Sequence, residues 1–228
     1  MRQVICSQCS ADMYKIVFFD LDGTLTDSGE GIIRSLEYAF RELGYEVPSQ
    51  EKLRMFIGPP LSVSFRDYMN FDDETAEKAI KKYRERYVVK GIFENEPYEG
   101  IVELLEELKN KGCRLAVATT KPEHMAKTVT DHYDLTKYFE TVSGAIGEGD
   151  TKANVIVRAC ERMNIPESER KSVLMVGDRK YDIIGAHECS MKCVGVDYGF
   201  APEGEFAEYG ADYRVHTVSD LKKLIIQS

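Results

Sequence analysis

Lys15-Ile16-Val17-Phe18-Phe19-Asp20-Leu21-Asp22-Gly23-Thr24 is the stretch that decides the fold. Its first half is a short, continuous apolar run rich in branched and aromatic residues, the pattern of a strand buried on both faces. Its second half sets two carboxylates two residues apart at the carboxyl end of that strand. Side chains so spaced in extended chain point the same way, so Asp20 and Asp22 are expected to face one pocket. Gly23 permits the sharp exit that brings backbone close to a ligand. A carboxylate nucleophile beside a second carboxyl group can divide phosphate-ester hydrolysis into two easier steps. The neighbour gives a proton to the leaving oxygen and later takes one from the attacking water.

Four similar apolar runs follow at Cys113–Ala118, Thr141–Val142, Ser172–Val176 and Lys192–Val196. Helical patterns separate them. Apolar residues at 101, 104, 105 and 108 predict a helix that stops at Gly112, and Lys152 to Met163 repeats the behaviour before Pro166. A last helix is expected over Val218 to Ile226, capped by Thr217 or Ser219. Strand alternating with helix implies βαβ units and an α/β fold with a doubly wound, mostly parallel sheet. Such sheets bind ligands beyond the carboxyl ends of their strands.

One region breaks this rhythm. From Gly29 to Tyr98 no strand is expected, only helices over Ile32–Leu43, Leu61–Met69 and Asp73–Val89, with a rigid break at Gly58-Pro59-Pro60. A block of helices inserted after the first strand reads as an all-helical cap domain over residues 29–97. The catalytic core is then 14–28 with 98–228, and 1–13 is an N-terminal extension carrying Cys6 and Cys9.

The formal charge of −9, from 39 acidic and 30 basic residues, repels nucleic-acid polymers and anionic membrane surfaces. No apolar stretch approaches the roughly 18 residues of a membrane helix. A cytoplasmic protein acting on a small phosphorylated metabolite is expected. Its anionic substrate must then be drawn in by a metal or by a few placed cations.

Phe19-Asp20-Leu21-Asp22-Gly23-Thr24-Leu25-Thr26-Asp27-Ser28 resembles the first motif of haloacid dehalogenase superfamily phosphatases. Three more motifs follow in order: Ala118-Thr119-Thr120-Lys121-Pro122, then Lys152, then Gly177-Asp178-Arg179-Lys180-Tyr181-Asp182. The resemblance runs from Tyr14 to the C-terminus. It implies that Asp20 is the nucleophile, Asp22 the acid/base, and Thr119 and Lys152 the donors to the phosphoryl oxygens. Physical chemistry agrees, since a phosphoryl group in transfer spreads negative charge over its equatorial oxygens. Mg²⁺ is the implied cofactor, held by Asp20, the Asp22 carbonyl and Asp178, with Asp182 one turn on acting partly through water. Lys152 lacks the proline that often follows it in the family, and Thr120 stands where Asn is common. Candidate substrate contacts are Gly23, Thr24, Thr120 and Lys121 in the core, and Gly58, Pro59 and Arg54 in the cap. Arg66 is a further candidate cation. The cap strings Ile57-Gly58-Pro59-Pro60-Leu61 and Tyr98-Glu99-Gly100-Ile101 are similar to the 5′-nucleotidase and phosphoglycolate phosphatase branch. The alternatives are a phosphomutase of the β-phosphoglucomutase type and a non-catalytic phosphate-binding regulator.

Overall fold

The structure, a computed structural model, describes residues 14–147 and 149–227. In chain order the elements are β1 (Ile16–Phe19), β2 (Thr26–Asp27), α1 (Gly29–Glu42), α2 (Gln50–Arg54), α3 (Leu61–Met69), α4 (Asp73–Tyr87) and β3 (Glu96–Pro97). There follow α5 (Ile101–Asn110), β4 (Arg114–Pro122), α6 (Glu123–His132), β5 (Thr141–Ala145), α7 (Lys152–Arg162) and β6 (Val173–Gly177). The chain ends with α8 (Lys180–Glu188), β7 (Lys192–Val196), α9 (Glu205–Tyr209), β8 (Tyr213–Val215) and α10 (Val218–Gln227).

Six strands form one parallel sheet in the order β5-β4-β1-β6-β7-β8. β1 lies inside it, with Ile16 opposite both Arg114 of β4 and Val173 of β6. Its uniform apolarity follows from this place, because a central parallel strand is covered on both faces. Val17 and Phe19 join one apolar layer with Leu104 and Leu108 of α5 and Leu221 of α10. Ile16 and Phe18 join the other, with Ile156 of α7 and Ile183 of α8. The doubly wound α/β fold read from the sequence is therefore present, with a sixth, three-residue edge strand that the apolar pattern did not mark.

The inserted helices form the helical cap. Phe40 of α1, Phe56 and Phe65 of α3 pack ring against ring, with centroids 5.1 Å apart for Phe56 and Phe65 and 5.9 Å for Phe40 and Phe65. Asp72 caps α4 by accepting the Thr75 N–H at 2.8 Å, a charge well placed at a helix N-terminus. One expectation is corrected here. The stretch from Gly29 to Tyr98 is not free of strand: Glu96–Pro97 pairs antiparallel with Thr26–Asp27, so a short ribbon joins the two chain crossings between core and cap. A proline and a two-residue length hid it from any periodicity. Cys6 and Cys9 lie outside the described residues.

Candidate active site

The carboxyl ends of β1, β4 and β6 converge on one buried cluster. Asp20 leaves β1 with its backbone N–H bonded to the Val176 carbonyl at 2.9 Å, which locks the nucleophile candidate to the end of β6. Asp178 follows β6 directly, and Asp182 lies in the first turn of α8. One carboxylate oxygen from each of Asp20, Asp178 and Asp182 falls within 4.8 Å of the others, and all three residues are buried.

A single buried ammonium faces this charge. Lys152, at the start of α7, sets its Nζ 2.9 Å from Asp20 Oδ1 and 2.6 Å from Asp182 Oδ1, and donates to the Ala118 carbonyl at 2.8 Å. Burial alone would lower its pKa. Asp182 and Asp20 more than offset that and hold it protonated, above the usual lysine range. The acids respond in the opposite sense. Burial, reinforced by Asp182 and Asp20, pushes Asp178 well above the carboxylate range. Burial also pushes Asp182 up to about 6 against the pull of Lys152.

Three carboxylates against one ammonium leave a surplus of buried negative charge, supplied entirely by hard oxygen donors. That donor set fits a small divalent cation such as Mg²⁺. Asp178 is the best placed to meet one, since Lys152 is committed to the other two. Among the described residues its oxygens accept only the Phe200 N–H at 2.8 Å and the Thr24 hydroxyl at 3.4 Å.

Other predicted residues fall into distinct places. Gly23 has φ +83°, and a Cβ there would come within 2.2 Å of Asp178 Oδ2, so glycine is what lets the loop close over that carboxylate. Gly23 and Thr24 thus pack against Asp178. Thr119 is buried at the end of β4, where its hydroxyl accepts the Lys121 N–H at 3.3 Å. The Asp22 carboxylate does not join the three-acid cluster. It receives the Lys121 ammonium on both oxygens, at 2.9 and 3.0 Å. Lys121 also donates to the hydroxyl of Tyr87, from the last turn of α4, and lies 4.9 Å from the centre of that ring. Lys121 is buried, 8% exposed.

On the cap side, the Thr120 hydroxyl donates to the Gly58 carbonyl at 3.3 Å, which brings the Gly58-Pro59 turn onto the end of β4. Arg54 is exposed on α2 and lines a cavity of about 420 Å³ with Arg34, Gln50 and Phe200, the residue whose amide binds Asp178. Arg66 pairs with Asp73 at 3.0 Å on an exposed surface, away from the cluster's contacts. Sequence reasoning missed Tyr87, Phe200, Arg179 and Glu205. Arg179 stood inside a quoted motif, but its partner Glu205 lies 26 residues on with no motif around it.

A parallel sheet flanked by helices, with an acid cluster at its strand ends and an inserted block of helices above it, defines a capped, doubly wound α/β protein with a carboxylate-rich site. The haloacid dehalogenase-like hydrolase profile matches residues 17–196. The chain belongs to that family. A 5′-nucleotidase of Pseudomonas aeruginosa is 39% identical over 215 residues, covering 92% of this chain and 94% of that protein. A predicted phosphatase from Clostridium acetobutylicum, of known crystal structure, matches with a TM-score of 0.89 at 43% identity, over 95% of this chain and 100% of that one. The tyrosine-protein kinase PtkA of Mycobacterium tuberculosis is 38% identical over 188 residues, 82% of this chain and 63% of that protein. Among the described residues no helix is long and apolar enough to cross a membrane.

Proposed function

We propose that the protein is a Mg²⁺-dependent phosphatase that hydrolyses a small phosphate monoester, a 5′-nucleotide or phosphoglycolate, through an aspartyl-phosphate on Asp20. The observation that carries this reading is the Asp20–Lys152–Asp182–Asp178 cluster at the strand ends. A nucleophilic carboxylate meeting a phosphate dianion needs positive charge at the point of contact. Lys152 supplies one fixed cation there. Mg²⁺, held by Asp20, Asp178 and the Asp22 carbonyl with Asp182 behind, would supply the rest by neutralising charge between nucleophile and substrate.

The chain's own residues then divide the work. An Asp20 oxygen forms the bond to phosphorus as the ester oxygen leaves, and Asp22 gives that oxygen a proton. In the second half, Asp22 takes a proton from water, which attacks phosphorus and returns Asp20 as a carboxylate. Thr119 and Lys152 donate to the phosphoryl oxygens. Lys121 pairs with the Asp22 carboxylate before substrate binds; an incoming phosphate would draw that ammonium onto itself, and Asp22 would take up the proton it then gives to the leaving oxygen. Residues 29–97 act as the cap that excludes water during the first half.

The open cavity of about 420 Å³ beside α1 and α2 is lined by Asp27, Glu30 and Glu37 as well as by Arg34 and Arg54, and by no member of the acid cluster, so it does not choose between the two substrates. Arg54 makes no ion pair among the described residues and remains a candidate substrate cation on the cap. The kinase reading gains no support of its own, since over a third of PtkA lies outside the match. The test is phosphate release with Mg²⁺ across nucleoside monophosphates, phosphoglycolate, sugar phosphates and pyrophosphate. A nucleotide or phosphoglycolate leading in kcat/KM supports the proposal. Absence of release even from an activated aryl phosphate would reject it.

A further inference from the structure

Arg179 directly follows Asp178, and its main chain and side chain do separate things. Its backbone N–H donates to Asp182 Oδ2 at 3.0 Å, fixing one member of the acid cluster. Its guanidinium turns the other way, toward the cap. Nε donates to Glu205 Oε1 at 3.0 Å, and Nη2 reaches Glu205 Oε2 at 3.5 Å. Nη1 is left to donate to the backbone carbonyl of Ile57, in the cap turn before Gly58. Glu205 is itself held by the Lys180 N–H at 2.8 Å. Arg179 and Glu205 are 4% and 8% exposed, so the pair is desolvated.

The cap turn is shaped to this contact. Gly58 has φ +107°, a conformation that side chains resist, and a Cβ there would stand 2.8 Å from Arg179 Cγ. Its carbonyl takes the Thr120 hydroxyl on the neighbouring strand end. The turn therefore sits on two posts, one from β4 and one from the loop before α8. The planar fork of Arg179 holds Glu205 through Nε and Nη2 and leaves Nη1 for the Ile57 carbonyl, a fixed donor geometry that a lysine's point charge does not reproduce at this position.

We propose that Arg179, braced by Glu205, is a positioning residue that docks the Gly58 turn of the cap onto the catalytic face. Cap seating and acid-cluster geometry then share one residue. A cap turn pulled from Arg179 frees the segment that carries the Asp182 bond, and a well-ordered cluster presents the guanidinium to the cap. The kinetic consequence rests on the phosphatase reading; the docking itself does not.

The experiment uses the full chain with Mg²⁺ and four variants: Glu205→Gln, Arg179→Lys, Gly58→Ala and the Gly58→Ala/Glu205→Gln double. Amide hydrogen exchange is followed by mass spectrometry over residues 56–61, with α7 as internal reference for the fold. Each single variant is expected to speed exchange in 56–61 about tenfold while α7 stays protected. KM should rise about tenfold with kcat changed less, the pattern of lost binding rather than lost chemistry. Arg179→Lys keeps the charge and should still behave like Glu205→Gln. The double variant should be no worse than its more severe parent, because both break one contact. Unchanged exchange over 56–61 in Glu205→Gln, or additive losses in the double, overturns the proposal. Faster exchange in an enzyme that releases no phosphate would leave the docking standing and remove the phosphatase reading instead.

Discussion

Replacing Lys152 with Met removes a charge while keeping most of the length of the side chain, and tests whether that ammonium is the counter-ion of the acid cluster. Its Nζ stands 2.9 Å from Asp20 and 2.6 Å from Asp182. At an effective dielectric of about 20, unit charges so placed attract by about 6 kcal/mol per pair. Taking the ammonium out of water cancels several kcal/mol of that gain. The expected net loss is therefore that of breaking a buried ion pair from one side, about 3–5 kcal/mol, with the Ala118 hydrogen bond included. Urea unfolding at neutral pH in a chelator reads it directly. The pH dependence carries a sign. Burial holds Asp182 up to about 6 even with Lys152 beside it, and losing Lys152 raises it further. A carboxyl whose folded pKa is raised costs stability above that pKa and nothing below its ordinary value of 3.8. The share of the Lys152→Met deficit that comes from Asp182 should thus be full above its further-raised pKa, shrink as pH falls, and be gone by about pH 6, where wild type takes up the same proton. Stability within about 0.5 kcal/mol of wild type at neutral pH, or a deficit that grows on acidification, would refute the counter-ion assignment.

Three further outcomes are expected. Asp20→Asn should lower kcat by at least about a thousandfold with an unchanged circular dichroism spectrum, since it removes the nucleophile and retains its shape; retained turnover takes Asp20 out of that role. Saturating Mg²⁺ should raise the melting temperature by about 5–10 °C, as expected for a ligand near 100 times its Kd on a chain of this size, and Asp178→Asn should abolish the shift. A melting curve indifferent to Mg²⁺ counts against the metal assignment without recourse to activity. Glu123 is opposed by burial, but Arg162, Lys127 and the Gly144 N–H bring it down to about 2. Glu123→Gln should cost about 1–2 kcal/mol, a loss present above the ordinary value of 4.5 and fading as pH falls toward 2. Acid titration of the two melting temperatures should show the curves converge.

The fold was legible wherever a residue's environment left a local trace. β1 reads as a buried strand because both of its faces are covered, and α5 reads as a helix because Leu104, Leu105 and Leu108 recur at helical spacing on one buried stripe. The ribbon of β2 and β3 left no such trace, because two residues are too few for a period. β8 is three residues long and exposes Arg214 from an edge. The candidate site divides in the same way. Asp20, Asp178 and Lys152 each stand where a strand delivers its end or a helix begins, so one motif per element located them. Asp182 follows from Asp178 by a single helical turn.

What the sequence concealed is how cations are shared between cap and core. Lys121 stands beside a catalytic motif, yet nothing local says that its ammonium spans Asp22 and the hydroxyl of Tyr87, 34 residues earlier. Burial pushes the Tyr87 hydroxyl well above its usual range, with Asp22 adding to the effect, so it remains a neutral partner. Arg179 repeats the arrangement at the other side of the cluster, with Glu205 in place of Asp22 and the Ile57 carbonyl in place of Tyr87. Each is a core cation neutralised by a core carboxylate that spends a remaining donor on a neutral cap acceptor. Neutral acceptors are the physically reasonable choice at a moving joint. A cap carboxylate in either place would form a second buried ion pair, and each opening would then strand a charge at a cost of several kcal/mol. A carbonyl or hydroxyl forfeits about 1 kcal/mol of net hydrogen bonding on release. A cap that opened would therefore leave the charges of Lys121 and Arg179 paired within the core.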